Sequence, residues 1–514
     1  MIRPLRGNRR RVQSDHETAK ETPAVIYQIF PERFAIGKPN DIQTKLAQPA
    51  YQRDNYTRHA NWDEEPTGGS DFFGGDLRGV IDHLDYLKDL GAEAVYLTPI
   101  FTAYSDHKYD TVAYQVDPMF GDGQVLGELI DGLHQRGMRL IMDAVLNHVG
   151  TEHPWFQAAK RGEKPYRDFF TFLADGKYLC WWGYDTLPEL RIEHPVLARL
   201  LYRDPDSVLQ RWLARGVDDW RFDAALELGL DAAADIRSAI AERFPRARLI
   251  GEVLSFGSEF CAGQRHFHGV MNYWFRYATL GWLQGTVSTH AYIRAVSEYY
   301  QRYGHEAALR SWNILSTHDT PRLRNELPDD TTRELALVLQ FTLPGEPLVY
   351  YGEENGMEGG EDPQNRRTMR WEESDWDQTI RGFYQKLIGI RRSRRELREG
   401  RLLMLGEYLD GDAVVFVRHT EVPNQETLVV VNKSKQRLQQ RLLVPHSHFE
   451  PRLWFKNLLA PDQHVQFYMA SFQLDLPPES AAIYVPDDGY LLPNGSKGTN
   501  YAFFKPRILG TNWP

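Results

Sequence analysis

The sequence contains little cysteine, no long apolar run and no strong charge imbalance. Cys180 and Cys261 are its only cysteines among 514 residues, too few for a disulfide framework. No run of about 18 apolar residues occurs, which excludes a membrane-spanning helix on composition grounds. The formal net charge of -10 is small for this length, and it argues against a general nucleic-acid-binding or anionic-membrane surface. We therefore expect neither nucleic acid nor a membrane among the partners.

The N-terminus also lacks the features of a secretory leader. Residues 1–22 begin with MIRPLRGNRRRVQ, which is basic but is not followed by an apolar segment. We predict a flexible, solvated arm over 1–22. Together with the two cysteines, the missing leader predicts a cytoplasmic protein.

Against these absences, short β-rich runs alternate with helical patterns over most of the chain. Eight such runs occur, and they are AVIYQIF, AVYLTPI, RLIMDAV, DDWRFDA, RLIGEV, GVMNYWF, WNILSTHD and PLVYYGEE. Strands that alternate with helices predict a parallel sheet, and this number of units fits a closed (β/α)8 TIM barrel. An open doubly wound sheet is the alternative, but no GxGxxG motif follows the first strand.

The predicted α/β chain consists of the barrel with an insert, a C-terminal domain and a tail. We place the catalytic barrel at 23–401, with an irregular, aromatic-rich insert, domain B, at about 149–194. Helical periodicity ends near residue 401, so 402–487 is predicted to be a C-terminal antiparallel β-sandwich domain. Residues 488–514 form a tail without a clear period.

Polar side chains follow four of the predicted barrel strands, at the end where the catalytic groups of such barrels lie. They are Asp143 at the end of the third strand with Asn147 and His148 just after it, Arg221 and Asp223 at the end of the fourth, Glu252 at the end of the fifth, and His318 and Asp319 at the end of the seventh. A single aspartate at a strand end is more often a helix cap. Four such ends in one barrel favour a shared site.

Missing motifs narrow the chemistry of this site. No HxxxH or HxH pair lies near the strand ends, which disfavours zinc hydrolysis, and no GxSxG motif supplies a serine nucleophile. Glycoside cleavage instead needs one ionised and one protonated carboxyl group. Arg221, two residues before Asp223, is expected to keep that carboxylate ionised as a nucleophile. Glu252, in an apolar strand end, is expected to have a raised pKa and to act as the acid/base.

Four motifs in order resemble those of the α-amylase family, glycoside hydrolase family 13: DAVLNH, GVDDWRFDA, GEV and STHD. Other segments, among them HKYDTVAYQVDPMFGD and GMEGGEDPQNRR, are similar to neopullulanases, cyclomaltodextrinases and maltogenic amylases. The resemblance implies that Asp223 is the nucleophile, Glu252 the acid/base and Asp319 a stabiliser of the transition state. It also implies a substrate-binding set that consists of Arg221, His148, His318, Tyr109, His107 and Asp143. Tyr109 is expected to stack on the attacked glucose ring.

The sequence departs from that subgroup at several positions. The subgroup usually carries an N-terminal β domain, which we do not expect here because the barrel pattern starts near residue 24. Since that domain often builds the dimer, we predict a monomer. Leu226 stands where the subgroup commonly has asparagine, so a hydrogen-bonding residue on the acceptor side is lost, whereas the substrate-binding residue Glu227 is kept.

The segment FAIGKPND at 34–41 is similar to a calcium loop of the family. Ile36 and Lys38 stand where oxygen ligands are usual, and Lys38 would repel a cation. The remaining candidate calcium ligands are Asn40, Asp41, Gly74 and Asp76 in this loop region, and Asn147 at a second site of the family. No cofactor is required for the chemistry, so any calcium is expected to be structural.

Together, the motifs predict a retaining hydrolase of α-1,4-glucosidic bonds in starch-derived glucans and maltooligosaccharides, with transglycosylation as a side reaction. The enzyme alternatives are cyclomaltodextrinase or neopullulanase activity, which includes α-1,6 bonds, and glucanotransferase activity. A catalytically inactive sugar-binding protein is disfavoured by the intact carboxylates. Aromatic residues of the insert are predicted to divide between its own small core and the donor side of a sugar cleft: Trp155, Phe156, Trp181, Trp182 and Tyr184.

Overall fold

The computed structural model describes residues 25–422, 425–446, 449 and 453–487. The predicted arm at 1–22 and the predicted tail at 488–514 lie outside the described residues. Among the described residues, no helix is both long enough and apolar enough to cross a lipid bilayer.

Eight parallel strands close into a barrel. They are β1 Ile26–Ile29, β2 Ala94–Leu97, β3 Arg139–Ala144, β4 Asp219–Phe222, β5 Leu249–Val253, β6 Gly269–Asn272, β7 Trp312–Ile314 and β8 Glu346–Tyr350. Neighbours in the chain pair around the ring, and β1 closes it by pairing with both β2 and β8. The longer helices outside this ring are Leu77–Asp82, Leu84–Leu90, Gly123–Gln135, Val208–Leu213, Leu230–Arg243, Tyr273–Leu283, Thr289–Tyr303, His305–Arg310, Asp330–Thr342 and Gln378–Ser393.

Side-chain alternation along the strands separates two cores. The cluster inside the barrel is Ile26, Ala94, Tyr96, Ile141, Ile250, Met271, Tyr273, Trp312, Ile314 and Leu348. The intervening residues, such as Val95, Leu140 and Trp220, join the larger core that surrounds the barrel. Asp143 and Glu252 each lie two residues beyond a member of the inner cluster, so they share its inward register and reach the barrel mouth.

The segment between β3 and β4 begins with short elements around a small aromatic core. These elements are a helix at Pro154–Lys160 and 3-10 turns at Tyr166–Phe169 and Trp181–Gly183. Phe156 is fully buried, and Trp155 packs edge-on against Phe169. The other rings around Phe156 are those of Phe170, Phe172 and Tyr178. Trp155 and Phe156, two of the five aromatic residues that the sequence singled out in the insert, therefore pack within it.

The C-terminal strands form one antiparallel sheet. Its strands are β9 Arg401–Met404, β10 Ala413–His419, β11 Glu426–Asn432, β12 Leu438–Leu443, β13 Trp454–Asn457, β14 His464–Tyr468, β15 Ser471–Leu476 and β16 Ser480–Pro486. Their order is β9-β10-β11-β16-β13-β14-β15-β12. On β10, Val415 and Val417 enter the sheet's own core, whereas Val414 and Phe416 join the core around the barrel. The predicted fold class, an α/β TIM barrel with a C-terminal antiparallel β domain, is confirmed.

Candidate active site

One buried arginine connects three carboxyl groups at the mouth of the barrel. Arg221, on β4, is fully buried. Its Nη1 donates to both oxygens of Asp143 at 2.9 Å and to Oδ1 of Asp223 at 3.1 Å. Its Nη2 contacts Oε1 of Glu252. The ends of β3, β4 and β5 are therefore held together by a single guanidinium group.

The turn after β4 directs a backbone donor at Glu252. Ala224 has φ 47 and ψ 45, a left-handed conformation that is uncommon outside glycine. Its N–H donates to Oε2 of Glu252 at 3.1 Å. Asp223 and Glu252 are only 7% and 9% exposed. Backbone strain of this kind concentrates at functional sites, where surrounding contacts hold it in place.

The protonation of these carboxyl groups is set by burial. Burial raises the pKa of Glu252 to about 7, although Arg221 opposes the shift. Burial also raises the pKa of Asp223 well above its usual range, and the charges of Glu252 and Asp143 add to the effect. Arg221 does favour the Asp223 carboxylate, as expected from the sequence, but burial and the charges of Glu252 and Asp143 outweigh it, so the net shift of the Asp223 pKa is upward. These shifts predict that the Asp223–Glu252 pair retains a proton near neutral pH.

Asp319, just after β7, has the opposite environment. Nε2 of His318 lies 3.1 Å from its Oδ2, and Nη2 of Arg366 donates to its Oδ1 at 3.2 Å. Burial alone would raise the pKa of Asp319, but His318 and Arg366 outweigh it and the pKa is lowered. Asp319 is therefore ionised at neutral pH. Arg366 was not identified from the sequence, where its only signal is its place in the GMEGGEDPQNRR segment.

Tyr109 and His318 belong to a hydrogen-bond chain that begins on β1. The Tyr109 hydroxyl lies 2.6 Å from Nε2 of His318 and donates to Oδ2 of Asp143 at 3.1 Å. Nε2 of Gln28 lies 2.7 Å from Nδ1 of His318. Burial lowers the pKa of His318 to about 3, so the neutral ring acts through hydrogen bonds. Sequence reasoning missed Gln28, whose only local signal is its inward register two residues after Ile26.

His148 has a free ring nitrogen at the site. Burial lowers the pKa of His148 to about 3, so its imidazole is neutral. Its Nε2 lies 3.8 Å from Oδ2 of Asp223, and this buried atom has no hydrogen-bond partner among the described residues. Buried polar atoms are normally paired, so a substrate hydroxyl is a fitting partner. His107 packs its ring on that of Tyr109, with 5.7 Å between the ring centroids.

A cleft of about 750 Å³ opens over these groups. The predicted residues that line it are Asp223, Glu252, Asp319, His148, Tyr109 and His107. Arg221, Asp143 and His318 are fully or almost fully buried, and they support the lining residues through the contacts above. Glu227 contacts the cleft wall through Trp182. Nε1 of Trp182 donates to Oε1 of Glu227 at 2.7 Å. Trp181, Trp182 and Tyr184 also line the cleft.

The helix Ile42–Leu46, which follows the loop considered for calcium, brings a cation to this region. Nζ of the buried Lys45 lies 2.5 Å from Oδ2 of Asp76. Oδ1 of Asp76 accepts hydrogen bonds from the N–H groups of Gly37 and Gly79. The stem of Lys45 passes so close to Gly74 that a Cβ there would lie 2.8 Å from Cγ of Lys45. The ammonium group thus takes the place beside Asp76 where a metal ion would bind.

The other candidate calcium ligands are partly exposed to solvent or contact other groups of the protein. Asp41 is exposed and its side chain caps the following helix, and Asn40 is only half-buried. Asn147 places its Nδ2 3.4 Å from Nδ1 of His148. No group of three or more His, Cys, Asp or Glu side chains in the described part of the chain can hold a metal ion. Because the Lys45 ammonium group lies beside Asp76, the residues around Asp76 do not fit calcium.

Residues 28–399 match the family model described as the Alpha amylase, catalytic domain. The chain belongs to the α-amylase family. Within this family, the chain is 36% identical over 428 residues to a cyclomaltodextrinase of Bacillus sp, which covers 80% of this chain and 73% of the relative. It is 34% identical over 471 residues to neopullulanase 2 of Thermoactinomyces vulgaris, which covers 89% and 76%.

A solved structure agrees with this assignment to the α-amylase family. The ligand-free cyclic alpha-maltosyl-(1-->6)-maltose hydrolase from Arthrobacter globiformis superposes with a TM-score of 0.75 at 27% identity, and the match covers 91% of this chain and 99% of that one. The family match at 28–399 contains all four carboxylates of the site: Asp143, Asp223, Glu252 and Asp319. The chain is therefore an α-amylase-family glycosidase.

Removal of metal ions tests the role of Lys45. We expect the same Tm in EDTA and in excess calcium, because Lys45 already neutralises Asp76. Lys45→Met should lower the free energy of unfolding by about 3–5 kcal/mol, since it leaves a buried carboxylate unpaired. Calorimetry of both proteins, with the exposed Lys177→Met as the control, measures these effects. A wild-type Tm that falls in EDTA, with an ordinary Tm for Lys45→Met, would show that a metal neutralises Asp76 instead.

Proposed function

We propose that the protein is a retaining hydrolase of α-1,4-glucosidic bonds in maltooligosaccharides and other starch-derived glucans. The observation that carries the proposal is the pair Asp223 and Glu252, which share the guanidinium of Arg221 at the wall of an aromatic cleft. Retaining glycosidases place their two carboxyl groups about 5–5.5 Å apart, closer than inverting ones do. Two carboxyl groups on one guanidinium are consistent with the closer spacing.

The proposed reaction has two steps. Asp223 attacks the anomeric carbon and forms a glycosyl ester, while Glu252 gives its proton to the glycosidic oxygen of the departing sugar. Glu252, now ionised, then takes a proton from water, whose oxygen attacks the same carbon and releases Asp223. Each attack inverts the anomeric centre, so the product keeps the α configuration. A sugar hydroxyl in place of water gives transglycosylation.

The environments of the carboxyl groups support these roles. The pair Asp223 and Glu252 holds a proton in common, and the reactive form carries it on Glu252 while Arg221 stabilises the Asp223 carboxylate. Asp319 stays ionised, which suits stabilisation of positive charge at the anomeric carbon in the transition state. His148 is neutral and is proposed to hydrogen-bond a hydroxyl group of the same sugar, whereas the buried, neutral His318 supports Tyr109 and Asp319 from behind.

The relatives favour a second candidate activity. Their names refer to cyclomaltodextrins, to pullulan and to a cyclic saccharide with 1-->6 links. We propose cleavage of cyclodextrins or α-1,6 bonds as this alternative, with glucanotransferase activity next. Product profiles on maltotriose, starch, pullulan and β-cyclodextrin separate these activities. We further propose that the enzyme works as a monomer in the cytoplasm, which sedimentation analysis and fractionation would test.

Two variants test the roles of the carboxyl groups. Asp223→Asn should lower kcat on both maltotetraose and α-maltosyl fluoride by at least about a thousandfold, because both need the nucleophile. Glu252→Gln should show a comparable loss on maltotetraose but a much smaller loss of kcat/KM on the fluoride, since kcat/KM reports the first step and fluoride leaves without a proton. Steady-state kinetics, with melting curves to verify folding, measure this difference. Wild-type turnover by Asp223→Asn, or equal losses for Glu252→Gln, would contradict the assignment.

The stereochemistry of the product tests the two-step mechanism. We expect the α anomer of the new reducing end to appear first, and mutarotation to produce the β anomer afterwards. Proton NMR in the first minutes of maltotetraose hydrolysis resolves the two anomeric signals. An initial β product would mean that a single inverting displacement occurs.

The pKa of Glu252 predicts the alkaline limb of the pH profile. Glu252 must be protonated to act as an acid, so kcat/KM for maltotetraose should fall as pH rises through about 7. This limb should be absent when Glu252→Gln acts on α-maltosyl fluoride, because the titrating group has been removed. Initial rates between pH 5 and 9, roughly the range in which such groups titrate, measure both profiles. Persistence of the limb in the variant would assign it to another group.

A further inference from the structure

Lys108 is a buried cation in a loop that carries two residues of the cleft. This loop, 104–110, connects two antiparallel strands that follow β2. His107 and Tyr109, on either side of Lys108 in sequence, line the cleft, whereas Lys108 itself is fully buried. Burial of a cation costs free energy unless the cation is paired. The partners of its ammonium group therefore indicate its role.

The ammonium group of Lys108 is anchored in the protein interior. Its Nζ lies 3.0 Å from Oδ2 of Asp117 and donates to the carbonyl oxygen of Ala103 at 3.1 Å. The ring centroids of Phe72 and Phe120 lie 5.4 and 5.5 Å from Nζ, within the range of cation–π attraction. None of these four partners is among the residues that line the cleft. The Lys108 side chain thus connects the loop to the interior behind it.

Asp117 gives this anchor a fixed position. It is buried, and its Oδ2 also accepts from the N–H of Ala103 at 3.2 Å. Its Oδ1 accepts from the N–H of Met119 at 2.8 Å. The N–H of Asp117 donates to the carbonyl oxygen of Ile100 at 2.8 Å. The carboxylate that holds Lys108 is therefore itself held by backbone groups on both sides of the loop.

The backbone of Lys108 is in an uncommon conformation. Its φ is 64, in the left-handed region that few residues other than glycine adopt. Such strain persists only where surrounding contacts impose it. The rings of His107 and Tyr109 stack with planes 27° apart, and the N–H of Tyr109 donates to Nδ1 of His107 at 3.1 Å. The turn at Lys108 therefore brings both rings to the same side of the loop.

The Tyr109 ring depends on an accurate position of this loop. Its hydroxyl donates to Asp143 at 3.1 Å and lies 2.6 Å from Nε2 of His318. Its ring also stacks on that of His318, with planes 13° apart. A shift of the loop by about 1 Å would disturb both contacts at once, and misplacement of this size is costly in an active site.

We propose that Lys108 is a positioning residue for Tyr109, and that its anchored ammonium group fixes the place of this ring in the cleft. The inference rests on the proposed function and deepens it, since we expect Tyr109 to stack on the attacked glucose ring. Lys108 does not line the cleft and acts only through its neighbour. Without the anchor, the loop relaxes about residue 108, and Tyr109 moves out of register with Asp143 and His318.

The loop has other hydrogen bonds that do not involve this ammonium group. Oδ2 of Asp110 accepts from the N–H groups of Tyr104 and Ser105 at 3.2 Å. The N–H of Asp106 donates to the carbonyl oxygen of Gly69 at 2.9 Å. We therefore expect removal of the ammonium group to shift the loop rather than to unfold it.

Two substitutions at Lys108 test the anchor. Lys108→Met keeps an unbranched stem but removes the ammonium group, and we expect kcat/KM to fall about ten- to a hundredfold. The loss should be alike on maltotetraose and α-maltosyl fluoride, since both place a glucose ring on Tyr109. Lys108→Gly adopts a positive φ without strain but also lacks the anchor, so it should lose as much. Steady-state kinetics well below each Tm measure these losses.

A buried cation elsewhere provides a matched control. Nη1 of Arg248 lies 2.9 Å from Oε1 of Glu346, just before β5 and at the opposite end of that strand from Glu252. Arg248→Met also leaves a buried carboxylate unpaired, so its Tm should fall. Its kcat/KM should nevertheless stay within about twofold of the wild type. Lys108→Met/Asp117→Asn removes both charges of the anchor and gives the same kinetic test if Lys108→Met does not fold.

A double-mutant cycle with Tyr109 separates positioning from general destabilisation. Tyr109→Ala removes the ring, so the addition of Lys108→Met should lower kcat/KM by less than about twofold further. The Tm should still fall by as much as in the single variant, because the buried pair with Asp117 is lost in both backgrounds.

An unchanged kcat/KM in Lys108→Met would overturn the inference. So would a full further loss in the Tyr109→Ala background, wild-type kinetics in Lys108→Gly, or an equal loss in Arg248→Met. A wild-type enzyme that cleaves neither substrate would instead overturn the proposed function, and this inference with it.

Discussion

The buried guanidinium of Arg221 is the interaction on which the site depends. Three carboxyl groups in a nearly closed barrel mouth would repel one another and lose their hydration. Arg221 pairs with all three of them, but one positive charge does not balance three negative charges. Burial raises the pKa values of Asp223 and Glu252, and this charge imbalance adds to the effect. The arrangement therefore keeps a proton on these buried carboxyl groups near neutral pH, which suits the proposed acid-assisted departure of a sugar.

The two-residue period of the barrel strands connects fold and chemistry. Residues in the inward register are apolar inside the barrel and charged at its mouth. The same alternation therefore forms both the inner core of the barrel and the site above it. The outward residues bind the helices and keep the strand ends in place. The left-handed Ala224 adds a backbone donor where the chain leaves β4. Adjacent residues of a strand thus differ in role: one faces the inside of the barrel and the next packs against the surrounding helices.

Features that depend on local pattern were predictable from the sequence. The eight strands, the strand-end carboxylates and the C-terminal antiparallel sheet follow from periodicity, and the ordered motifs point to the family. Features set by contacts between distant segments were not. Gln28 and Arg366 reach His318 and Asp319 from segments far away in sequence. The sequence shows Arg221 beside Asp223 but neither the burial of that carboxyl group nor the charges that β3 and β5 bring to it, so the net upward shift of its pKa could not be predicted. Lys45 and Asp76, 31 positions apart, could likewise not be paired from the sequence.

The C-terminal sheet has a consequence for the modularity of the chain. Its strand β10 is buried on both faces, one within the sheet and the other against the core around the barrel. Cutting the chain near residue 400 would expose Val414 and Phe416 on one fragment and the barrel residues that pack on them on the other. The sheet therefore acts as part of the barrel's outer wall rather than as an exchangeable appendage. A recombinant barrel without it would be prone to aggregation even though it contained all four carboxylates of the site.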